Sequence, residues 1–120
     1  ITARQRKYRT NIRRWKTMDW ETYREWTRTT AEYPKEREED YLMIGLASEV
    51  GELLGKHKKE MRGDGKNFSA KLDELGDVMW YLYRLCDHYD IEPFVVRYNN
   101  YVKLSHRKER GVLKGDGDNR

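Results

Sequence analysis

Two pairs of carboxylates stand in the sequence at the same spacing, and they determine which chemistry the chain could carry out. Glu49 and Glu52 form the first pair, and Glu74 and Asp77 form the second. Residues three apart in an α-helix project from one face. Two such helices packed together would hold four carboxylates around one point. Oxygen-only ligands suit Mg²⁺ or Mn²⁺ and not Zn²⁺, and such sites usually serve phosphate chemistry.

Apolar residues recur at helical spacing on both sides of the acidic pairs, and no stretch shows the sustained alternation of a strand. The predicted helices run from an Asp19 cap to Pro34, from about Glu39 to Arg62, from a Ser69 cap to Tyr89, and from Glu92 or Pro93 to about Glu109. In each central helix a glycine, Gly51 or Gly76, separates the two acids. Close helix packing, or room for a metal and a phosphate chain, would explain these glycines. The sequence therefore predicts an all-α fold.

The charge of the chain is distributed unevenly. Residues 1–16 carry seven basic residues and no acid, so 18 basic and 21 acidic residues remain in 17–120, a net charge of −3. We therefore divide the chain into a basic arm (1–16), a helical domain (17–110) and a tail rich in Gly and Asp (111–120). A basic arm can contact nucleic acid, but no recognition motif supports a nucleic-acid partner.

The remaining composition favours a helical protein of the cytoplasm. The single cysteine, Cys86, cannot form an internal disulfide and fits a reducing compartment. No apolar run approaches the roughly 20 residues that are needed to cross a bilayer. A narrow helical unit with this many apolar and aromatic residues would leave a large patch exposed as a monomer. We therefore expect a homo-oligomer, a dimer or a tetramer, without a membrane partner.

The two acidic segments resemble the MazG family of nucleotide pyrophosphohydrolases. The run Tyr41-Leu-Met-Ile-Gly-Leu-Ala-Ser-Glu-Val-Gly-Glu-Leu and the later run Glu74-Leu-Gly-Asp-Val-Met-Trp-Tyr-Leu are similar to the family's Glu-x-x-Glu and Glu-x-x-Asp motifs. Residues 100–107 resemble its fourth-helix motif, and residues 110–120 resemble the ending of MazG-like proteins of phages and bacteria. Ser48 stands where many members have Glu, which removes one carboxylate that could orient water.

The resemblance implies an all-α bundle of four to five helices that is completed by oligomerisation. It implies Mg²⁺-dependent hydrolysis of ribo- or deoxynucleoside triphosphates at the α–β phosphate bond, to monophosphate and pyrophosphate, in nucleotide-pool housecleaning. By carry-over, all four motif acids would bind the metal, and Glu49 or Glu52 would position the attacking water. Asn100, Lys103 and Arg107 would meet the triphosphate from the fourth helix, with Lys59 as a further phosphate contact.

Two alternatives stay open at this point. The first is a non-catalytic helical interaction or nucleic-acid-binding module that uses the basic arm. The second keeps the enzyme class but changes the substrate to a phosphoribosyl-nucleotide or an alarmone. The sequence does not choose the base or the sugar.

Overall fold

The structure is a computed structural model that describes residues 2–3 and 18–117. The predicted basic arm, apart from residues 2 and 3, and the last three residues of the tail lie outside the described part. The helices are α1 (Trp20–Thr29), α2 (Glu38–Met61), α3 (Phe68–His88) and α4 (Pro93–Glu109), with a 3₁₀-helix at Lys35–Arg37 before α2. No strand occurs in residues 18–117. The predicted all-α fold is confirmed.

Local side-chain chemistry explains where the helices begin. Asp19 caps α1 as predicted, because its Oδ1 accepts a hydrogen bond of 2.8 Å from the Thr22 N–H. The predicted Ser69 cap of α3 is wrong. The Asn67 side chain caps this helix by accepting a hydrogen bond from the Ala70 N–H, so Ser69 lies within the first turn. Pro93 occupies the first position of α4, where a missing N–H costs nothing.

Helices α2 and α3 form the centre of the fold, and ion pairs join them at both ends. Near the connecting loop, the Glu60 carboxylate accepts hydrogen bonds from Lys71 Nζ at 2.7 Å and from the Asn67 N–H at 2.6 Å. At the opposite end, His88 Nδ1 lies 2.6 Å from Glu38 Oε1. These contacts hold the two helices in one register, and that register determines which acids face each other.

Helix α1 packs against the second half of α3 through aromatic rings and one ion pair. The Trp20 ring stacks on Tyr83 at 5.5 Å, and the Tyr23 ring meets Tyr83 edge-on at 5.1 Å. Arg28 donates two hydrogen bonds to the Asp87 carboxylate, at 3.0 and 2.8 Å. This guanidinium lowers the pKa of Asp87 to about 2. Helix α1 is thereby fixed beside the acidic segment of α3.

The buried core of the described chain is small, and much of the predicted apolar stripe is exposed. Leu42, Tyr83 and Leu85 are the buried hydrophobic residues among those described. Seven stripe residues of α2 and α3 are between 38% and 79% exposed: Val50, Leu54, Met61, Leu72, Leu75, Met79 and Leu82. These residues are therefore exposed surface in the single chain, in line with the large apolar patch expected of a monomer. No helix of the described part has the length and apolar character needed to cross a membrane.

Three glycines of the central helices have different surroundings. A Cβ built on Gly45 would lie 2.2 Å from the Tyr81 ring, so Gly45 is needed for close packing of α2 on α3. At Gly51 and Gly76 a Cβ would meet nothing within 4 Å. Packing within the chain therefore explains why position 45 is a glycine. It does not explain Gly51 and Gly76, which face open space.

Replacing Gly45 by Ala should destabilise the protein by about 1–2 kcal/mol, because overpacking of about 1–3 kcal/mol outweighs the gain in helix propensity. Gly55→Ala is the matched control, since a Cβ there meets nothing within 4 Å. This control should be neutral or should stabilise by up to about 1 kcal/mol. Urea unfolding of both variants measures the difference, and equal stabilities would contradict the packing role of Gly45.

Candidate metal centre

The structure brings acids from α2 and α3 together. One carboxylate oxygen from each of Glu49, Glu74 and Asp77 lies within 4.8 Å of the others. We call these three residues the acidic cluster. Glu52 lies at its edge and is exposed, but its negative charge still acts on Glu49. Both sequence motifs therefore reach one site, with three of the four acids in the closest group.

Burial and mutual repulsion disturb the titration of the acidic cluster. Burial, a hydrogen bond with Glu74 and the charges of nearby acids, Asp77 foremost, raise the pKa of Glu49 to about 7. Burial and the charge of Glu74 also raise the pKa of Asp77. Burial also acts to raise the pKa of Glu74. Hydrogen bonds, of which the one from Lys56 has the largest effect, outweigh burial and lower this pKa. The cluster thus holds more negative charge than its surroundings neutralise.

Two oxygens of the acidic cluster are buried without a donor. Glu74 is only 7% exposed, and its Oε2 has no hydrogen-bond partner in the described part of the chain. Glu49 Oε2 is likewise buried and has no hydrogen-bond partner among the described residues. The neighbouring carboxyl groups are acceptors when ionised, and Glu49 can donate to Glu74 only while it is protonated. Once Glu49 ionises, it no longer supplies a donor. A buried oxygen of this kind costs roughly 1–3 kcal/mol or more, and a divalent cation bound by oxygen ligands fits that need.

Lys56 is the cation that the structure places at the acidic cluster. Its Nζ lies 3.2 Å from Glu74 Oε1. Lys59, the phosphate contact that the resemblance implies, is exposed and lies three residues farther along α2. The signal for Lys56 was available, because it follows Glu49 by seven positions and Glu52 by four. Those spacings place all three residues on one face of the helix.

Tyrosines border the acidic cluster. Tyr81 packs over Gly45, and burial, the neighbouring Tyr41 and the charges of Glu49 and Asp77 raise its pKa to about 12. Helix α1 contributes Tyr23, whose pKa is raised by burial and by the charge of Asp77. The sequence pattern alone gave no sign that Tyr81 and Tyr23 border the site.

The predicted substrate-binding residues of α4 lie in a different environment. Asn100 is exposed and lines a groove of about 520 Å³ with Trp20, Tyr83 and Arg97. Lys103 is exposed. Arg107, by contrast, is only 4% exposed. The members of the acidic cluster itself lie on α2 and α3.

Comparison with known proteins identifies a relative in a bacteriophage. The Gene 37 protein of Mycobacterium phage L5 is 44% identical over 85 residues, which cover 67% of this chain and 75% of that protein. No protein-family model matches the sequence, and no solved structure matches it. Identity of this level over three quarters of the relative shows common descent. The chain belongs to the family of the Gene 37 protein of Mycobacterium phage L5.

Proposed function

We propose that this protein is a Mg²⁺-dependent nucleoside triphosphate pyrophosphohydrolase. The observation that carries the proposal is the buried Glu74 oxygen, which has no hydrogen-bond donor among the described residues. Its carboxyl group lies in one cluster with Glu49 from the other motif, on α2, and with Asp77 one turn further along α3. The motif spacing supports the same conclusion, since it resembles that of MazG-like enzymes. Two glycines facing open space beside the acids leave room for a phosphate chain.

The residues of the site divide into distinct roles under this proposal. Glu49, Glu74 and Asp77 would hold Mg²⁺, with Mn²⁺ as a substitute, and the metal would offset the charge that develops on the phosphate oxygens. Glu52 is exposed at the edge of the acidic cluster, so its carboxylate can accept a proton from the attacking water. Glu49, the other candidate for that role, lies within the closest group of ligands.

The reaction we propose is attack of water on the α-phosphate, which breaks the α–β bond and releases nucleoside monophosphate and pyrophosphate. Asn100, Lys103 and Arg107 remain the proposed triphosphate contacts from α4, and Lys59 remains a further one. Hydrolysis of this kind would remove unwanted nucleotides from the pool, a housecleaning role in the cytoplasm.

We also propose that the protein is a homo-oligomer. Leu54, Leu75 and Leu82 are 61%, 49% and 47% exposed on the central helix pair, and large exposed apolar surface marks interaction sites. Sedimentation analysis should give at least twice the chain mass, and Leu75→Glu should shift it towards the monomer. A monomeric wild-type protein at micromolar concentration would contradict this part of the proposal. Glu36→Gln, a charge change at an exposed residue of the 3₁₀-helix before α2, should leave the mass unchanged.

Product analysis by phosphorus NMR tests the reaction. The protein is incubated with a panel of ribo- and deoxynucleoside triphosphates, with Mg²⁺ or with chelator. Monophosphate and pyrophosphate that appear only with Mg²⁺ would support the proposal and rank the bases. Diphosphate and orthophosphate would show cleavage of a different bond, and no turnover of any nucleotide would overturn the proposed substrate class.

A further inference from the structure

Lys56 occupies a position from which one ammonium group could serve two ligands in turn. It follows Glu52 by one helical turn and Glu49 by two, and its Nζ lies 3.2 Å from Glu74 Oε1. The Glu74 side chain is 9% exposed, whereas the Lys56 side chain is 33% exposed. The carboxylate is therefore fixed in the interior, and the ammonium is held on a flexible stem that reaches solvent.

We propose that Lys56 neutralises Glu74 in the metal-free protein and leaves it for the triphosphate when that carboxylate takes a divalent cation. This inference rests on the proposed function. An ammonium and a divalent cation on the same carboxylate repel each other strongly at such short distances. The phosphates of the bound triphosphate would then give the displaced ammonium a new anionic partner close to the Glu74 carboxylate. Lysine binds phosphate readily as a point charge.

The helix geometry separates Lys56 from Lys58, a second lysine at this helix end. Lys58 is exposed, and its two-residue offset directs it about 200° around the helix from Lys56. Lys58→Met is therefore a matched control that removes the same charge from the same helix. Lys56→Met keeps most of the apolar stem and removes only the ammonium.

Metal binding without nucleotide gives the first measurement. Chelator-treated wild-type, Lys56→Met and Lys58→Met proteins are titrated with Mn²⁺, and free Mn²⁺ is followed by electron paramagnetic resonance. Loss of the competing ammonium should tighten Mn²⁺ binding by Lys56→Met about two- to fivefold. Lys58→Met should bind as the wild type does. Circular dichroism establishes that all three proteins have equal helix content.

Phosphate binding gives the second measurement, in which Lys56→Met should lose affinity and not gain it. Inorganic tripolyphosphate is titrated into each protein at saturating Mg²⁺ by calorimetry. Lys56→Met should bind it about two- to fivefold more weakly than the wild type or Lys58→Met does. A purely structural role of Lys56 would weaken both ligands together, so the opposite signs identify the exchange.

The outcomes separate this inference from the proposed function. Tighter Mn²⁺ and weaker tripolyphosphate binding by Lys56→Met would support the exchange. Wild-type binding of Mn²⁺ with no change in Lys56→Met would overturn the exchange and leave the metal site intact. Absence of Mn²⁺ binding by the wild type would overturn both. A misfolded Lys56→Met protein is replaced by Lys56→Gln, to which the same criteria apply.

Discussion

Replacing Glu74 by Gln should reduce Mg²⁺-dependent nucleotide hydrolysis by at least about a hundredfold. Glu74 supplies the most buried carboxylate of the acidic cluster and a donor-free oxygen. An amide of the same shape keeps the volume but loses the negative charge that a divalent cation requires. The metal's stabilisation of the transition state is worth several kcal/mol, and each factor of ten in rate corresponds to about 1.4 kcal/mol. Steady-state rates with Mg²⁺ measure the loss.

The neighbouring acid provides the control for this prediction. Asp73 is exposed on the same helix, directly before Glu74, and lies outside the acidic cluster. Asp73→Asn should change the rate by no more than a few-fold, because Asp73 is no member of the acidic cluster and its charge acts on Asp77 only through space. Equal losses in both variants would indicate a general effect of negative charge on this surface. Full activity in Glu74→Gln would contradict the assigned site.

The metal-free protein should lose stability as the pH rises from about 4.5 to about 7. The structure raises the pKa of Glu49 from its ordinary value of 4.5 to about 7. In that interval the folded state binds more protons than the unfolded state, so raising the pH favours unfolding. After allowance for solvent screening, the loss in free energy of unfolding should be about 1–2 kcal/mol. Urea unfolding in chelator at several pH values measures it.

A matched variant and added Mg²⁺ test the cause of this pH dependence. The glutamine of Glu49→Gln cannot ionise, so the decrease in the free energy of unfolding between about pH 4.5 and pH 7 should disappear in this variant. The variant should then be more stable than the wild type near pH 8. Mg²⁺ should remove the loss in the wild type, because a bound cation favours the ionised carboxylates. An unchanged slope in Glu49→Gln would assign the titration to another group, such as His88 beside Glu38.

The sequence was sufficient to predict four helices and the convergence of the acids, although the predicted end of the first helix at Pro34 is wrong, because α1 ends at Thr29. Hydrophobic spacing and cap residues depend on local interactions, so Asp19 and Pro93 mark helix starts that the structure confirms. The Ser69 cap was wrong because two suitable cap residues, Asn67 and Ser69, stand close together in the sequence. Only the backbone conformation decides between them.

Other features depend on tertiary packing, which the residue pattern does not determine. A periodic stripe shows that Leu75 and Leu82 share a face, but not whether that face meets this chain or another surface. Gly45 and Gly51 look alike in the sequence, yet only Gly45 has a ring against it. That Lys56 pairs with Glu74 depends on the register of α2 against α3, to which the ion pairs at the helix ends contribute.

The measurement that tests the central claim most directly is calorimetric titration of Mg²⁺ into the chelator-treated protein, because it does not depend on finding the right nucleotide. Our account predicts saturable binding by the wild type and by Asp73→Asn, and loss of binding in Glu74→Gln. Absence of saturable binding by the wild type, or equal binding by Glu74→Gln, would contradict a metal centre at the acidic cluster.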